Sequence, residues 1–357
     1  MSRWPDTRIQ DLFGIELPII QAPMAGPSYA EMVVAVAQAG GLGSLPCAML
    51  SAEQIRQEVG RIREGTAAPI NLNFFAHSAP VPDEASLAAW KQRLEPYYLE
   101  FGLDPAEPVP LSNRAPFDEA LCELVEALRP EVVSFHFGLP EAALVGRVKA
   151  TGAKVISSAT TVAEARWLEA RGCDAIIAQG AEAGGHRGLF LDTRVDTQVG
   201  TFALLPQVVD AVQLPVIAAG GIADARGIAA AFALGAAAVQ LGTAYLFTPE
   251  ARLPALHRQA LAQSRDDGTA ITNLFTGRPA RGILNRVMRE VGPLSDLAPA
   301  FPLAGGALAP LRAKAEAAGA DDFMSLWSGQ AAALSKHMPA GELTRVLAAE
   351  ALARMGR

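Results

Sequence analysis

The stretch PVIAAGGIADARGIAAAFALGAAAVQLGT, residues 215–243, decides the fold. Its first apolar run, Pro215–Ile222, contains two adjacent glycines and leads into an alanine-rich segment, Asp224–Leu234, with helical spacing. A second apolar run, Ala238–Leu246, follows and again contains a glycine. The order of strand, glycine turn, helix and strand predicts two parallel strands joined by a crossover helix.

The same alternation extends through the first two-thirds of the chain. The other predicted strands are Leu17–Met24, Leu42–Ala48, Pro69–Phe75, Val132–Gly138, Lys154–Thr160 and Ala175–Gly180. The other predicted helices are Tyr29–Ala39, Ala52–Arg63, Pro116–Leu128, Pro140–Ala150, Val162–Arg171 and Phe202–Ala211. The strands are apolar on both faces, as in parallel sheets that helices cover. Eight such units predict an α/β protein with a TIM (β/α)8 barrel, and an open doubly wound sheet is the alternative.

Two regions interrupt this alternation. Residues Ala76–Ala115 form a long proline-rich connection with one short helical piece, and such connections are often functional. After the last strand the repeat stops, and residues 249–305 are predicted to form a small, mostly helical lobe that covers the barrel mouth. Within it Asn273–Asn285 is expected to be irregular. The predicted barrel domain, residues 1–248, is completed by return helices within 306–357.

The composition excludes several classes of protein. The formal net charge is −7 and the basic residues form no run, which argues against nucleic-acid binding. The N-terminus has no apolar signal segment, and no stretch approaches the about 20 apolar residues of a membrane span. Cys47, Cys122 and Cys173 are odd in number and widely spaced, which indicates buried thiols in a reducing compartment. We therefore predict a cytoplasmic protein that holds no metal and binds neither nucleic acid nor membrane.

The glycine turns after the last two predicted strands indicate a phosphate site. In TIM barrels ligands bind at the carboxyl ends of the strands, and the turns after strands seven and eight commonly hold phosphate. Gly220 and Gly221 let the backbone approach a ligand closely, and the helix from Asp224 is expected to direct free N–H groups at it. Gly242 and Thr243 repeat the arrangement after the next strand.

A glycine-rich segment, AQGAEAGGHRG at residues 178–188, follows the sixth predicted strand. It places Gln179 and His186 on either side of the glycines Gly184 and Gly185. Imidazole is the side chain best matched to proton transfer near neutral pH. His186 is therefore the candidate base, although a single histidine in a loop is more commonly a surface residue.

Other strand ends supply apolar and polar walls. The small residues and methionine of Ala22-Pro23-Met24 suit packing against a flat aromatic ring. Asn71 and Asn73 lie on one face of their strand, where polar groups that point into a barrel need a partner. His136 either faces the site or is a satisfied core histidine. The remaining histidines are expected to be structural or exposed: His77, His257 and His337.

Missing motifs narrow the choice of cofactor. The chain has no metal-ligand cluster, no Walker loop and no strand–GxGxxG–helix unit. No lysine closes a predicted strand, which counts against pyridoxal phosphate and against a lysine aldolase. A flavin is then the natural candidate. The alternative is a non-flavin phosphate barrel with a catalytic cysteine, for which only Cys47 is suitably placed.

Six motifs occur in the order QAPMAG, NLNF, FHFG, AQGAEAGGHRG, PVIAAGGI and QLGTAYL. Their sequence and spacing resemble the nitronate monooxygenase family, and the later FTGRPARGILN and LWSGQAAAL segments resemble its class I branch. The resemblance implies FMN held by Asn73, Gln179, Gly184, Gly221 and the run Gln240–Thr243. With the turns and walls above, the predicted cofactor-binding set is Ala22, Pro23, Met24, Asn73, Gln179, Gly184, Gly185, Gly220, Gly221, Gln240, Leu241, Gly242 and Thr243.

The resemblance also implies a reaction. The family oxidises alkyl nitronates, such as propionate 3-nitronate, with molecular oxygen and without NAD(P)H, giving a carbonyl compound and nitrite in detoxification. It implies that His186 removes the α-proton of a neutral nitroalkane and that His136 lines the substrate pocket. Phe301 is placed in that pocket where the family often has a tyrosine, which puts the substrate in doubt.

Two further points stay open at this stage. The chain is expected to act as a monomer or a homodimer, with a small-molecule substrate and O2 as its partners. The alternative activity on the same scaffold is an NAD(P)H-dependent FMN reductase that acts on an enoyl-acyl-carrier protein or on a quinone.

Overall fold

The computed structural model describes residues 4–110 and 114–357. The strands are β1 (Ile19–Gln21), β2 (Gly43–Pro46), β3 (Ile70–Phe75), β4 (Val132–His136), β5 (Lys154–Ala159), β6 (Ala175–Gln179), β7 (Gly185–His186), β8 (Val216–Ala219), β9 (Ala238–Leu241), β10 (Thr269–Thr272) and β11 (Ala280–Ile283). The helices are α1 (Arg8–Phe13), α2 (Ala30–Gln38), α3 (Ala52–Gly65), α4 (Glu84–Glu100), α5 (Glu119–Leu128), α6 (Ala142–Ala150), α7 (Val162–Ala170), α8 (Thr201–Ala211), α9 (Ala225–Ala233), α10 (Thr243–Leu246), α11 (Ala255–Ala262), α12 (Arg286–Glu290), α13 (Gly305–Ala317) and α14 (Ala340–Arg354). Among these described residues no helix is long and apolar enough to cross a membrane.

Eight parallel strands form a closed barrel. Their order around the sheet is β1-β9-β8-β6-β5-β4-β3-β2. A parallel bridge between Ile20 and Leu42 joins the two edge strands, and the Gln21 N–H donates to the Leu42 carbonyl at 3.0 Å across this seam. The prediction of a TIM barrel is therefore confirmed. An open doubly wound sheet is excluded because its edge strands would not be joined.

One end of the barrel is closed by hydrophobic packing. Ile9 and Phe13 of α1 lie in the same buried cluster as Val132 and Ala175, the first residues of β4 and β6. Inward-facing side chains such as Ile156 fill the barrel above them. The amino ends of the strands are thus sealed, and the carboxyl ends remain for a binding site.

The C-terminal helix completes the outer layer of the barrel. Helix α14 packs against α2 and α9, on either side of the strand pair β1 and β9. The Tyr245 hydroxyl lies 2.8 Å from Oγ1 of Thr344, and both side chains are fully buried. The contact ties the end of the chain to the turn that follows β9.

The second lobe contains a sheet as well as helices. Strand β10 pairs with β11, and β11 pairs with β7, all antiparallel. The prediction that Asn273–Asn285 is irregular is therefore wrong at Ala280–Ile283, which forms β11. The local sequence did not reveal this strand because one of its partners is a two-residue strand inside a glycine-rich loop.

The connection Ala76–Ala115 is more ordered than predicted. It contains α4, a helix of 17 residues rather than a short helical piece. The buried side chains of Trp90 and Tyr98 donate hydrogen bonds to backbone carbonyls at the start of α13, at 3.0 and 2.6 Å. Burial of these aromatic residues stabilises α4 in its place. Residues 111–113 of the predicted segment lie outside the described residues.

Hydrophobic contacts define the extent of the lobe. One cluster joins Trp90 of α4 and Phe275 with Leu308 and Leu311 of α13. The sequence placed the lobe at residues 249–305 and assigned everything after it to the barrel. We propose instead that α4 and α13 belong to the lobe, because their buried side chains pack there.

Candidate active site

A cavity of about 530 Å³ opens at the carboxyl ends of the barrel strands. The predicted site residues that line it are Ala22, Pro23, Met24, Asn73, His136, Gln179, Gly184, Gly185, His186, Gly220, Gly221, Gln240, Gly242 and Thr243. Leu241 does not line it, because alternate residues of a strand point to opposite sides and this side chain is buried in the main core. Phe301 lies beside His186, with ring centroids 5.4 Å apart, and does not reach the cavity wall.

The turn after β8 is shaped by two glycines in left-handed conformations. Gly220 has φ 110° and Gly221 has φ 69°. A Cβ atom at Gly220 would lie 3.0 Å from Oγ1 of Thr201 and 3.1 Å from the Ala183 nitrogen. The Thr201 hydroxyl lies 2.9 Å from both the Gly220 carbonyl oxygen and a carboxylate oxygen of Glu182, and it holds the turn in place. Only glycine fits here, so the backbone itself forms this wall of the cavity.

Two of the first N–H groups of the helix after this turn are already hydrogen-bonded, contrary to the sequence prediction that they are free. The Asp224 carboxylate accepts hydrogen bonds from the backbone of Arg226 at 2.9 Å and of Gly227 at 3.4 Å. Asp224 therefore caps α9 and occupies two of the N–H groups that were expected to bind an anion. No side chain caps the helical turn that starts at Thr243.

Two glutamines, on the strands β6 and β9 that flank β8, have different roles in the cavity. Oε1 of Gln240 is buried and has no hydrogen-bond partner among the described protein groups. A buried polar atom of this kind needs a partner, which a ligand in the cavity would supply. Gln179 is satisfied internally, since its Nε2 donates to the His186 carbonyl at 3.0 Å and its Oε1 accepts from the Gly188 N–H at 2.7 Å. It positions the loop that carries His186.

His186 lies on β7 and is held by the second lobe. Its strand partner is Ala280, and its Nε2 lies 2.9 Å from Oγ1 of Thr276. Burial lowers the pKa of His186 well below its usual value of 6.5, and nearby cationic groups, above all Arg114, lower it further. The imidazole is therefore neutral at physiological pH and has a nitrogen able to accept a proton.

His136 lines the cavity and is also fully hydrogen-bonded. Its Nε2 donates to the His186 carbonyl at 3.1 Å, and its Nδ1 accepts from the Ser158 hydroxyl at 3.1 Å. Burial lowers its pKa to about 4, so it stays neutral. The two interpretations left open by the sequence both apply, because this histidine faces the site and supports the His186 backbone.

Buried charges fix the loop between β6 and α8. The guanidinium of Arg187, fully buried, donates to the carbonyls of Gly180 at 2.6 Å and Gln179 at 2.8 Å. The buried carboxylate of Glu164 accepts from the Thr160 and Phe190 N–H groups, both at 2.7 Å. Charged groups that satisfy several backbone atoms make short, strong hydrogen bonds. The loop is therefore held rigidly on both sides of His186.

The Glu164→Gln variant is expected to be less stable than the wild type by about 1.5–3 kcal/mol, the usual range for a lost hydrogen bond to a charged group. The new amide N–H2 would face backbone donors in place of an acceptor. Chemical denaturation measures the change in the free energy of unfolding. Glu53→Gln on exposed α3 is the matched control and should differ from the wild type by less than about 0.5 kcal/mol.

Cysteine and metal chemistry find no support in this site. Cys47 is buried outside the cavity wall, and burial raises the pKa of its thiol above the usual value of 9.0. A buried, protonated thiol is a poor nucleophile, which argues against the cysteine-dependent alternative. Within residues 4–110 and 114–357, no group of three or more histidine, cysteine or carboxylate side chains could hold a metal ion.

The family model for nitronate monooxygenase matches residues 6–350, nearly the whole chain. The chain belongs to the nitronate monooxygenase family. It is therefore an oxidoreductase of a flavin-dependent family, and the resemblance seen in the sequence motifs is confirmed.

Individual nitronate monooxygenases and solved structures agree with this assignment. A nitronate monooxygenase of Pseudomonas aeruginosa is 44% identical over 351 residues, which cover 96% of this chain and 98% of the relative. The structure of nitroalkane oxidase from Streptomyces ansochromogenes is 39% identical with a TM-score of 0.87, covering 98% of this chain and 99% of that one. FabK from Thermotoga maritima is more distant, at 27% identity and a TM-score of 0.74, covering 98% and 97% of the two chains.

The sequence did not reveal several residues that lie around the cavity. Thr276 contacts His186, and the ring of Trp327 lies tilted against the imidazole with ring centroids 5.6 Å apart. His257 also lines the cavity, where its Nε2 donates to the Trp327 carbonyl at 3.2 Å. All three come from beyond the last barrel strand. The FTGRPARGILN and LWSGQAAAL motifs marked two of these segments, but nothing in the motifs showed which side chain reaches the cavity.

Proposed function

We propose that this chain binds FMN and uses molecular oxygen to oxidise alkyl nitronates, such as propionate 3-nitronate, to a carbonyl compound and nitrite. The observation that carries the proposal is the neutral imidazole of His186, which faces a cavity bordered by two glycine turns. Homologous nitronate monooxygenases support the reaction class. Detoxification of nitronates is the role we propose.

The residues of the cavity fit FMN. The turns at Gly220-Gly221 and Gly242-Thr243 border it and leave room for a phosphate. The buried Oε1 of Gln240, which has no protein partner, is an acceptor suited to a flavin N–H group. Ala22-Pro23-Met24 supplies an apolar wall for a planar ring. The bound flavin would supply the electron acceptor that the protein side chains lack.

The protein's own part is to hold a proton acceptor and to exclude water. Neutral nitroalkanes must lose an α-proton before they become nitronates, and His186 is the base placed to take it. The rings of Phe75, Phe137 and Phe301 surround His186 at centroid distances of 6.1, 5.8 and 5.4 Å. They keep the imidazole out of bulk water, which favours its neutral form. A nitronate arrives without the proton and does not need this step.

One experiment tests the proposal directly. The purified protein should show the visible absorbance of a flavin, released as FMN on denaturation, and should consume O2 with ethyl nitronate in the absence of NADH. Nitrite should accumulate as oxygen is consumed. Anaerobic bleaching by NADH without any nitronate turnover would contradict the proposal and favour the reductase. A colourless protein that FMN does not reconstitute would contradict the cofactor assignment.

The rate of nitroalkane turnover is expected to show no decrease centred near pH 6.5. Because the pKa of His186 lies well below 6.5, the imidazole stays neutral as the pH falls from 8 to about 6. Activity that needs the neutral base should therefore remain level over that range and fall only at lower pH. A plot of kcat/KM for nitroethane against pH tests this, and a decline centred at 6.5 would show an unperturbed histidine.

Three further assignments complete the proposal. The partners are a small nitronate or nitroalkane and O2. The sequence prediction of a cytoplasmic enzyme and of a monomer or homodimer is retained as a proposal. Gel filtration with light scattering would distinguish the two oligomeric states.

A further inference from the structure

A threonine from the second lobe contacts the candidate base. Thr276 lies in the connection between β10 and β11, 90 residues after His186, and is 2% exposed. Its Oγ1 is 2.9 Å from Nε2 of His186. Thr276 lies within the FTGRPARGILN segment, but no role for its hydroxyl follows from the sequence. Its position raises the question of which ring nitrogen of the neutral imidazole carries the proton.

Surrounding groups set the direction of this hydrogen bond. A hydroxyl has one proton to donate, and Oγ1 of Thr276 lies 3.3 Å from the carbonyl oxygen of Arg278, which can only accept. The Arg278 N–H points back to the same Oγ1 at 3.4 Å. All these groups are satisfied together when the hydroxyl donates to the carbonyl and accepts from an N–H at Nε2 of His186.

The other ring nitrogen is then the one that can accept a proton. In a neutral imidazole with its proton on Nε2, Nδ1 carries the lone pair. Among the described residues Nδ1 of His186 hydrogen-bonds to no protein group, and the side chain lines the cavity. Phe301 and Trp327 pack against the ring at centroid distances of 5.4 and 5.6 Å and restrict its rotation.

We propose that Thr276 is a positioning residue that fixes His186 as the Nε2–H tautomer, so that Nδ1 faces the cavity and accepts the α-proton of a neutral nitroalkane. The inference rests on the proposed function for its catalytic consequence, but the tautomer itself is independent of any substrate. The other cationic or titratable groups near the ring are Arg114, His136, Arg278 and His77. Of these groups, His136 is hydrogen-bonded to the backbone carbonyl of His186 and not to its ring.

Variants at position 276 test the proposal by activity. Thr276→Val keeps the shape and removes the hydroxyl, which leaves the Nε2–H without a partner and mixes the two tautomers. We expect kcat for nitroethane to fall about tenfold or more, because a wrong tautomer disables a histidine base. Turnover of ethyl nitronate should fall much less. Thr276→Ser retains the hydroxyl and should recover most of the nitroethane activity.

A matched control separates packing from positioning. Thr272→Val removes another fully buried hydroxyl of the same lobe, one whose Oγ1 accepts from the Leu274 N–H and does not touch His186. This variant should leave the ratio of nitroethane to nitronate turnover at the wild-type value. Equal losses of both substrates in Thr276→Val, or a nitroethane rate like that of the wild type, would overturn the proposal.

A spectroscopic measurement tests the tautomer without turnover. Nitrogen NMR of the flavin-loaded protein labelled at histidine should show a protonated Nε2 and an unprotonated Nδ1 for His186, assigned by comparison with His186→Asn. In Thr276→Val the two nitrogens should shift toward averaged values. A proton on Nδ1 in the wild type would overturn the inference even if nitronate oxidation is observed. Absence of nitronate oxidation with the expected tautomer would instead contradict only the proposed function.

Discussion

His186→Asn is expected to reduce turnover of neutral nitroalkanes by about 100-fold or more, the usual contribution of a positioned base. Asparagine can occupy a similar volume and hydrogen-bond to Thr276, but its amide does not accept a proton. The reduction should be much smaller for nitronates, which need no proton removed. Steady-state kcat and kcat/KM for nitroethane and ethyl nitronate, measured at the same pH, provide the comparison.

Two controls support the interpretation of this variant. The visible spectrum should show that FMN remains bound, because the His186 side chain is not part of either glycine turn. His337→Asn changes an exposed histidine whose ring contacts Phe247, and its kinetics should match those of the wild type. If His186→Asn lost both activities to the same extent, the proton-abstraction role would have to be abandoned.

Gly220→Ala is expected to weaken FMN binding about tenfold or more. The residue has φ 110°, and an added Cβ would lie 3.0 Å from Oγ1 of Thr201. Backbone strain of this kind costs of order 1–3 kcal/mol, and each 1.4 kcal/mol corresponds to a tenfold change in affinity. Titration of the apoprotein with FMN, followed by quenching of flavin fluorescence, gives the dissociation constant.

Gly146→Ala is the matched control for this substitution. Gly146 lies within α6, where an added Cβ meets nothing within 4 Å, so alanine should preserve FMN affinity and slightly stabilise the helix. Wild-type affinity in Gly220→Ala would show that the turn after β8 does not hold the phosphate. The same titration of both variants under one set of conditions decides the point.

The parts of the molecule that the sequence predicted well depend on local patterns. The strand that ends at Gly220-Gly221 and the strand that ends at Gly242 are recognisable because apolar runs and glycine turns occur within a few residues. The boundary errors are also local. The strand predicted to reach Leu246 ends at Leu241, because the backbone begins a helical turn at Thr243 to form the cavity wall.

The features that the sequence did not reveal depend on contacts between distant segments. Helix α4 is stabilised by Trp90 and Tyr98, which bond to carbonyls more than 200 residues later. The Asp224 side chain caps α9 and so occupies N–H groups that the sequence predicted to be free for an anion. Thr276 has an ordinary local setting, and only the pairing of β11 with β7 brings it to His186.

The pairing of β7 with β11 has a consequence for the order in which the enzyme becomes active. Most barrel strands pair with a neighbour close in the chain, whereas His186 meets Thr276 only after a loop of 90 residues has closed. Long-range pairings of this kind form late, because the entropy of loop closure must be overcome first. During refolding, strand pairs between chain neighbours should therefore form first. Nitroalkane turnover should recover last, because it needs this pairing and also the longer closure from Ile19 of β1 to Val239 of β9 that completes the cavity.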